Sequence, residues 1–207
     1  MVTGHMSSVQ EYISQGNNLI AAGEARQARR CFKKVTEADP KNAVALDGIA
    51  WTYYMEGEHE KARELLEYSL QCDPGFAEGY TDLGCVMQDM GDAARAEELH
   101  KRALELDPHR HDAHSNLGIL YLTTKRLQLA ETMFKRATDC DDRHVDTFCL
   151  LGETRLQLSK FVAARAALKR ALALDEHCVE AGILLAQAEF EISEACAARA
   201  RRRAARK

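Results

Sequence analysis

Residues 77–108 read AEGYTDLGCVMQDMGDAARAEELHKRALELDP, and the fold is decided there. Tyr80, Leu83, Gly84 and Met87 fall at i, i+3, i+4 and i+7, a single apolar stripe on a first helix. Gly91-Asp92 interrupts it, the glycine supplying a left-handed step and the aspartate a cap for a second helix. That second helix carries Ala96, Leu99, His100 and Ala103 on one face, and Asp107-Pro108 ends it. Neither helix can bury its stripe alone, so the pair must stack on neighbours of the same kind.

Such neighbours lie on both sides. Pro40, Pro74 and Pro108 are 34 residues apart. At the same period, one column reads Ala28, Ala62, Ala96, Ala130, Ala164 and Ala198. A second, always small, reads Gly16, Ala50, Gly84, Gly118, Gly152 and Ala186. The turn column begins Gly23, Gly57, Gly91 and then lapses to Lys125, Ser159 and Ser193. The whole chain of 207 residues is 46% hydrophobic but only 6% aromatic, with 12 Gly and 3 Pro. That is too little turn chemistry for a sandwich or barrel, and too much apolar content at net charge −4 for disorder. Apolar runs such as residues 181–186 are far short of the roughly 18 residues a membrane span needs. The first ten residues have no apolar stretch of the secretory-signal kind, and residues 1–6, with Gly4-His5-Met6, read as a cloning remnant.

These columns resemble the tetratricopeptide repeat (TPR), a 34-residue helix–turn–helix unit. The resemblance implies an all-α, right-handed superhelical solenoid of five repeats over residues 9–178, followed by a C-terminal capping helix pair at about 179–206. The expected organisation is a flexible N-terminus at 1–8, one repeat domain at 9–198 and a basic tail at 199–207. Asp142 and Glu176 stand where the earlier units have proline, so the fourth and fifth boundaries are less sharply marked. The family generally binds proteins or peptides. Proteins built of this repeat alone include secretion chaperones and magnetosome-coating scaffolds, and the residues quoted do not choose among them.

With the core stripe at repeat positions 4, 7, 8 and 11, positions 2, 5, 9 and 12 form a second stripe on the first helix. In the family that stripe, with position 13, lines a concave groove. From the second repeat it takes Asp47, Trp51, Tyr54 and Met55, and from the third Glu78, Thr81, Cys85 and Asp89. The fourth supplies Asp112, Ser115, Ile119 and Leu122; the later repeats add Asp146, Glu153, Leu156 and Gln187. Across six repeats the stripe holds eight acids, counting Glu180 and Glu191, and no Lys, Arg or His, where 28 bases in 207 residues would place about four. Aromatic anchors among charges of one sign suit a basic or amphipathic segment.

Other chemistries find less support. The Lys and Asn pair with which family members clamp a C-terminal carboxylate is missing, the corresponding residues being Ile13 and Asn17, then Asp47 and Trp51. His109, His111, His114 and His144 read as surface loop residues rather than a metal site, and no cofactor is implied. Seven cysteines without a C-x-x-C pair suggest small hydrophobes in a reducing, cytoplasmic compartment. No nucleophile, phosphate-loop or zinc-protease motif is present, so the expected protein is not an enzyme. The tail concentrates Arg199, Arg201, Arg202, Arg203, Arg206 and Lys207. It has three readings: cations completing a helix C-terminus, an anchor to nucleic acid or anionic membrane, and a basic segment entering the acidic groove of another copy. The resulting expectation is a scaffold or adaptor for other proteins, with self-association through tail and groove.

Overall fold

The computed structural model describes residues 3–204, with side chains from Ser8 onward. Among these the secondary structure is helical throughout, without a strand. Helices α1 (Thr3–Ala21), α2 (Ala25–Ala38), α3 (Ala43–Met55), α4 (His59–Cys72), α5 (Ala77–Asp89) and α6 (Ala93–Leu106) make three antiparallel pairs in one compact unit, residues 1–108. Helices α7 (His111–Thr123), α8 (Leu127–Cys140), α9 (Val145–Gln157), α10 (Phe161–Leu174) and α11 (Val179–Ala204) form a second, residues 109–207. Within each unit, successive helices in sequence pack side by side, as a stacked repeat array requires. Helix α1 takes in residues 3–8, ahead of the domain start expected at residue 9.

The small-residue columns explain the packing. Ala28, Ala62, Ala96, Ala130 and Ala164 are each fully buried, so neighbouring backbones meet there with nothing larger between them. Opposite the other small column stand Phe32, Leu66, His100, Phe134 and Leu168, also buried. A Cβ on Gly16 would lie 2.5 Å from the Phe32 ring, and one on Gly118 would lie 2.7 Å from Phe134. Glycine is therefore used where the second helix brings a ring against the backbone of the first.

The turns keep their expected chemistry, including where glycine has lapsed. Gly91 has φ +87, and the Asp92 carboxylate accepts the Arg95 amide at 3.0 Å. Lys125 and Ser159 adopt the same left-handed conformation at φ +60 and +58. The closing backbone bond of that turn persists, from Arg126 N to Tyr121 O at 2.7 Å and from Lys160 N to Arg155 O at 2.8 Å. A side chain held there is strained, so Ser159→Gly is expected to raise stability by about 0.5–1 kcal/mol in urea denaturation, the relief of strain exceeding the extra chain entropy.

The C-terminal expectation needs correction. Among the described residues there is no capping helix pair: residues 179–204 form one continuous helix, and Ala198, in the column that is buried elsewhere, is exposed. Residues 190–196 contain neither Gly nor Pro, and the helix runs through Ser193, whereas the chain turns at Lys125 and Ser159. Arg201, Arg202 and Arg203 occupy the last turn of α11, where cations complement the helix dipole. Arg206 and Lys207 lie outside the described residues.

Polar ties join successive repeats at the fifth residue of the second helices. Arg29 on α2 donates to the Thr52 hydroxyl at 2.8 Å and to Glu56, with its guanidinium 3.8 Å from the centre of the Tyr53 ring. Glu131 on α8 occupies the same repeat position with the opposite charge, and accepts from Arg155 at 3.1 Å and from Lys160.

Candidate functional site

Three first helices of the first unit enclose a cleft of about 310 Å³. Asn17 and Ile20 of α1 form one side, Val44, Asp47, Gly48 and Trp51 of α3 the floor, and Glu78 and Asp82 of α5 the other side. Three carboxylates and one indole converge on a space of side-chain size. Of the predicted groove residues, this cleft gathers Asp47, Trp51 and Glu78. Asp82 is not among those predicted. It sits at repeat position 6, only about 20° around the helix from position 13, so a slightly wider stripe includes it.

Trp51 is half-buried and packs against Tyr54, their ring centres 4.8 Å apart. The Tyr54 hydroxyl donates to the Asp89 carboxylate at 2.6 Å, tying α3 to α5. Burial, reinforced by that bond and by the Asp89 charge, raises the Tyr54 hydroxyl well above its ordinary range. Tyr54 and Asp89 thus brace the wall behind Trp51, and the two act as one element. Met55 and Glu78 are exposed, and Cys85 is half-buried.

Five predicted groove residues, Asp47, Thr81, Ser115, Leu122 and Leu156, are buried, as is Cys149 on the same stripe of the fifth repeat. All are at positions 5 or 12, the edge of the stripe nearest the core, where the adjacent helix covers them. Asp47 still borders the cleft, but the other five present little surface to a ligand.

In the second unit the stripe is less acidic than its own residues suggest. Arg110, just outside it, pairs with Asp112 through both carboxylate oxygens. Glu153 accepts from Gln157 at 3.0 Å, while Asp146 and Gln187 are exposed and Ile119 is half-buried. A separate cleft of about 480 Å³ lies between the start of α10 and the later part of α11, walled by Phe161, Val162, Ile192 and Cys196 with Arg199 at its rim.

Of the four histidines expected in loops, His109 and His144 are exposed residues between helices, but His111 and His114 belong to α7. His114 is buried in α7, at repeat position 4 of the core stripe, so its column already marks it as interior. His111 opens α7, stacks on His144 with ring centres 3.9 Å apart, and bonds the Thr147 hydroxyl through Nε2 at 2.9 Å. Among the described residues no group of three or more His, Cys, Asp or Glu is placed to hold a metal ion.

Burial, and then the charge of His144, lower the His111 pKa. The folded state therefore favours neutral His111. Its contribution to stability is intact above the unfolded value near 6.5 and is lost as pH falls through that value toward the lower folded one. The thermal midpoint is expected to drop between pH 7.5 and about 5.5, above the carboxylate range, and His111→Gln should flatten that slope.

The cysteines are free thiols, with the Cys149 and Cys178 sulfurs 3.8 Å apart. Burial and its neighbour push the Cys149 thiol up to about 12, which keeps it protonated and unreactive.

A model of the tetratricopeptide repeat matches residues 19–81 and 88–146. No curated protein sequence matches the chain. Among solved structures, the PilF protein of Pseudomonas aeruginosa is similar over 94% of this chain and 90% of its own, at 21% identity and TM-score 0.79. A MamA structure is 25% identical, covering 78% of this chain and 94% of that one with TM-score 0.64. YrrB, described as a TPR protein with an unusual peptide-binding site, is 24% identical over 82% of this chain and 88% of its own, with TM-score 0.59.

Proposed function

The chain belongs to the tetratricopeptide repeat family, and on that footing we propose that it is a non-catalytic scaffold or adaptor whose first unit receives a basic, amphipathic segment in the cleft beside Trp51. The observation that carries this is the convergence of Asp47, Glu78 and Asp82 on a cleft walled by one indole. A Lys or Arg side chain satisfies both features, its charge toward the carboxylates and its stem or guanidinium against the ring. The peptide-binding site described for YrrB supports the use of this fold to bind a peptide. A cytoplasmic setting is part of the same proposal, supported by the free thiols. No helix among the described residues is long and apolar enough to cross a membrane.

The chain's own basic tail provides a probe. A labelled peptide of residues 194–207 is to be titrated onto the intact protein by fluorescence anisotropy over a salt series. The expected outcome is saturable binding that weakens with salt and is reduced in both Trp51→Ala and Glu78→Lys. Equal binding by wild type and both variants would refute the cleft. A second reading, an anchor to nucleic acid or anionic membrane, draws on the exposed Arg199, Arg201, Arg202 and Arg203. It predicts sedimentation of the protein with anionic vesicles or DNA at low salt, lost when residues 199–207 are removed.

A further inference from the structure

Helix α11 has two apolar faces, and the repeat stack covers one of them. On the covered face Ala181 and Ala188 are fully buried, and Leu184 and Leu185 pack against Leu156, Ala164 and Leu168. On the other, Val179, Ile183 and Phe190 are 73%, 64% and 63% exposed. At 100° per residue these three, with Ala186 and Ala197, fall within an arc of about 60° directly opposite Ala181 and Ala188.

The repeat shows what kind of object fits that face. Ala186 stands in the column of Gly16, Gly84, Gly118 and Gly152, each of which receives a side chain from the antiparallel second helix of its own repeat. α11 has no second helix among the described residues, because the residues that would have formed one continue it. The face is shaped for an antiparallel helix.

Charge identifies the helix. Residues 179–198 carry Glu180, Glu189, Glu191 and Glu194 and no base, while residues 199–204 carry four arginines and no acid. Two such helices side by side in parallel would set arginine against arginine; antiparallel about Phe190, Arg201 of each comes alongside Glu180 of the other, while Glu189 and Glu191 lie on the flanks near the axis. We propose that α11 is a dimerisation surface, on which α11 of a second copy packs antiparallel about a two-fold axis near Phe190. Ile183 of one copy then lies opposite Ala197 of the other, and Glu180 beside Arg201. The contact is isologous and closed, giving a dimer rather than a filament. The steps of four, three and four between Val179, Ile183, Ala186 and Phe190 suit a short coiled-coil seam. A single pair of helices is a small interface, so the dimer is concentration-dependent.

The experiment is sedimentation velocity on the full chain from about 1 to 100 μM, at salt from about 50 to 500 mM. Wild type is expected to dimerise in that range, and less so at high salt. Ile183→Asp and Phe190→Asp alter exposed positions, so each should remain helical by circular dichroism and sediment as a monomer. Glu180→Arg and Arg201→Glu should each weaken the dimer several-fold, and the two together should restore it. A monomeric wild type overturns the proposal, as does a dimer indifferent to Phe190→Asp or a double charge swap that fails to restore it. Self-association abolished by Glu78→Lys instead would assign it to tail and cleft, and would equally overturn it.

Discussion

Phe134→Ala is expected to cost about 3–5 kcal/mol, the range for deleting a buried aromatic ring. Phe134 is fully buried, and its ring rests on the bare backbone of Gly118. Because Gly118 has no side chain to move inward, the cavity is bounded by helix backbone on that side and collapses poorly. Urea denaturation monitored by circular dichroism measures the loss. The converse change, Gly118→Ala, places a Cβ 2.7 Å from the ring and should cost about 1–3 kcal/mol, although alanine is the better helix former by about 1 kcal/mol. Combining Gly118→Ala with Phe134→Leu should recover most of that loss, because Ala50 and Leu66 already form this pair, both buried, in the second repeat. A cost below about 1 kcal/mol for Phe134→Ala would contradict the packing register.

Trp51→Ala should weaken binding of the basic peptide by about 2 kcal/mol, roughly 30-fold, as for other aromatic anchors at the centre of an interface. The ring is one wall of the cleft and is braced from behind by Tyr54 and Asp89, so its position is set before a ligand arrives. Glu78→Lys acts differently. The exposed carboxylate steers more than it anchors, so its reversal should cost about tenfold at low salt and progressively less as salt rises. Unchanged thermal midpoints in Glu78→Lys would separate this effect from folding. If Trp51→Ala and wild type bind alike across the salt series, the indole is packing only.

The helix pairs are legible in the sequence because their signals are redundant: an alanine column, a glycine column and a turn column agree at one period. The buried state of five alanines is a direct consequence of that register. Elsewhere a single signal misleads when it is separated from its surroundings. At Lys125 and Ser159 the turn forms without glycine because the returning helix must pack on its repeat. At Ser193 the same loss of glycine leaves α11 running on as one helix. His114 is legible from its core column, whereas its histidine neighbours point to a loop. In the groove, the helical period locates the stripe, but how far the next helix overlaps its edge depends on the interhelix approach. Position 5 is therefore interior in the second to fifth repeats, position 12 is interior at Leu122 and Leu156, and Asp82, at the far edge, enters the site.

The opposed charges at Arg29 and Glu131 bear on how freely such repeats could be shuffled. Arg29 meets Thr52 and Glu56 in the next repeat, whereas Glu131 meets Arg155 and Lys160. Placing the first repeat directly ahead of the fifth would set Arg29 against two cations, and placing the fourth ahead of the second would set Glu131 against Glu56. Each junction accepts its own successor and repels the other's. The order of the modules is thereby written into their seams, and a recombined or duplicated array would have to exchange those charges along with the helices that carry them.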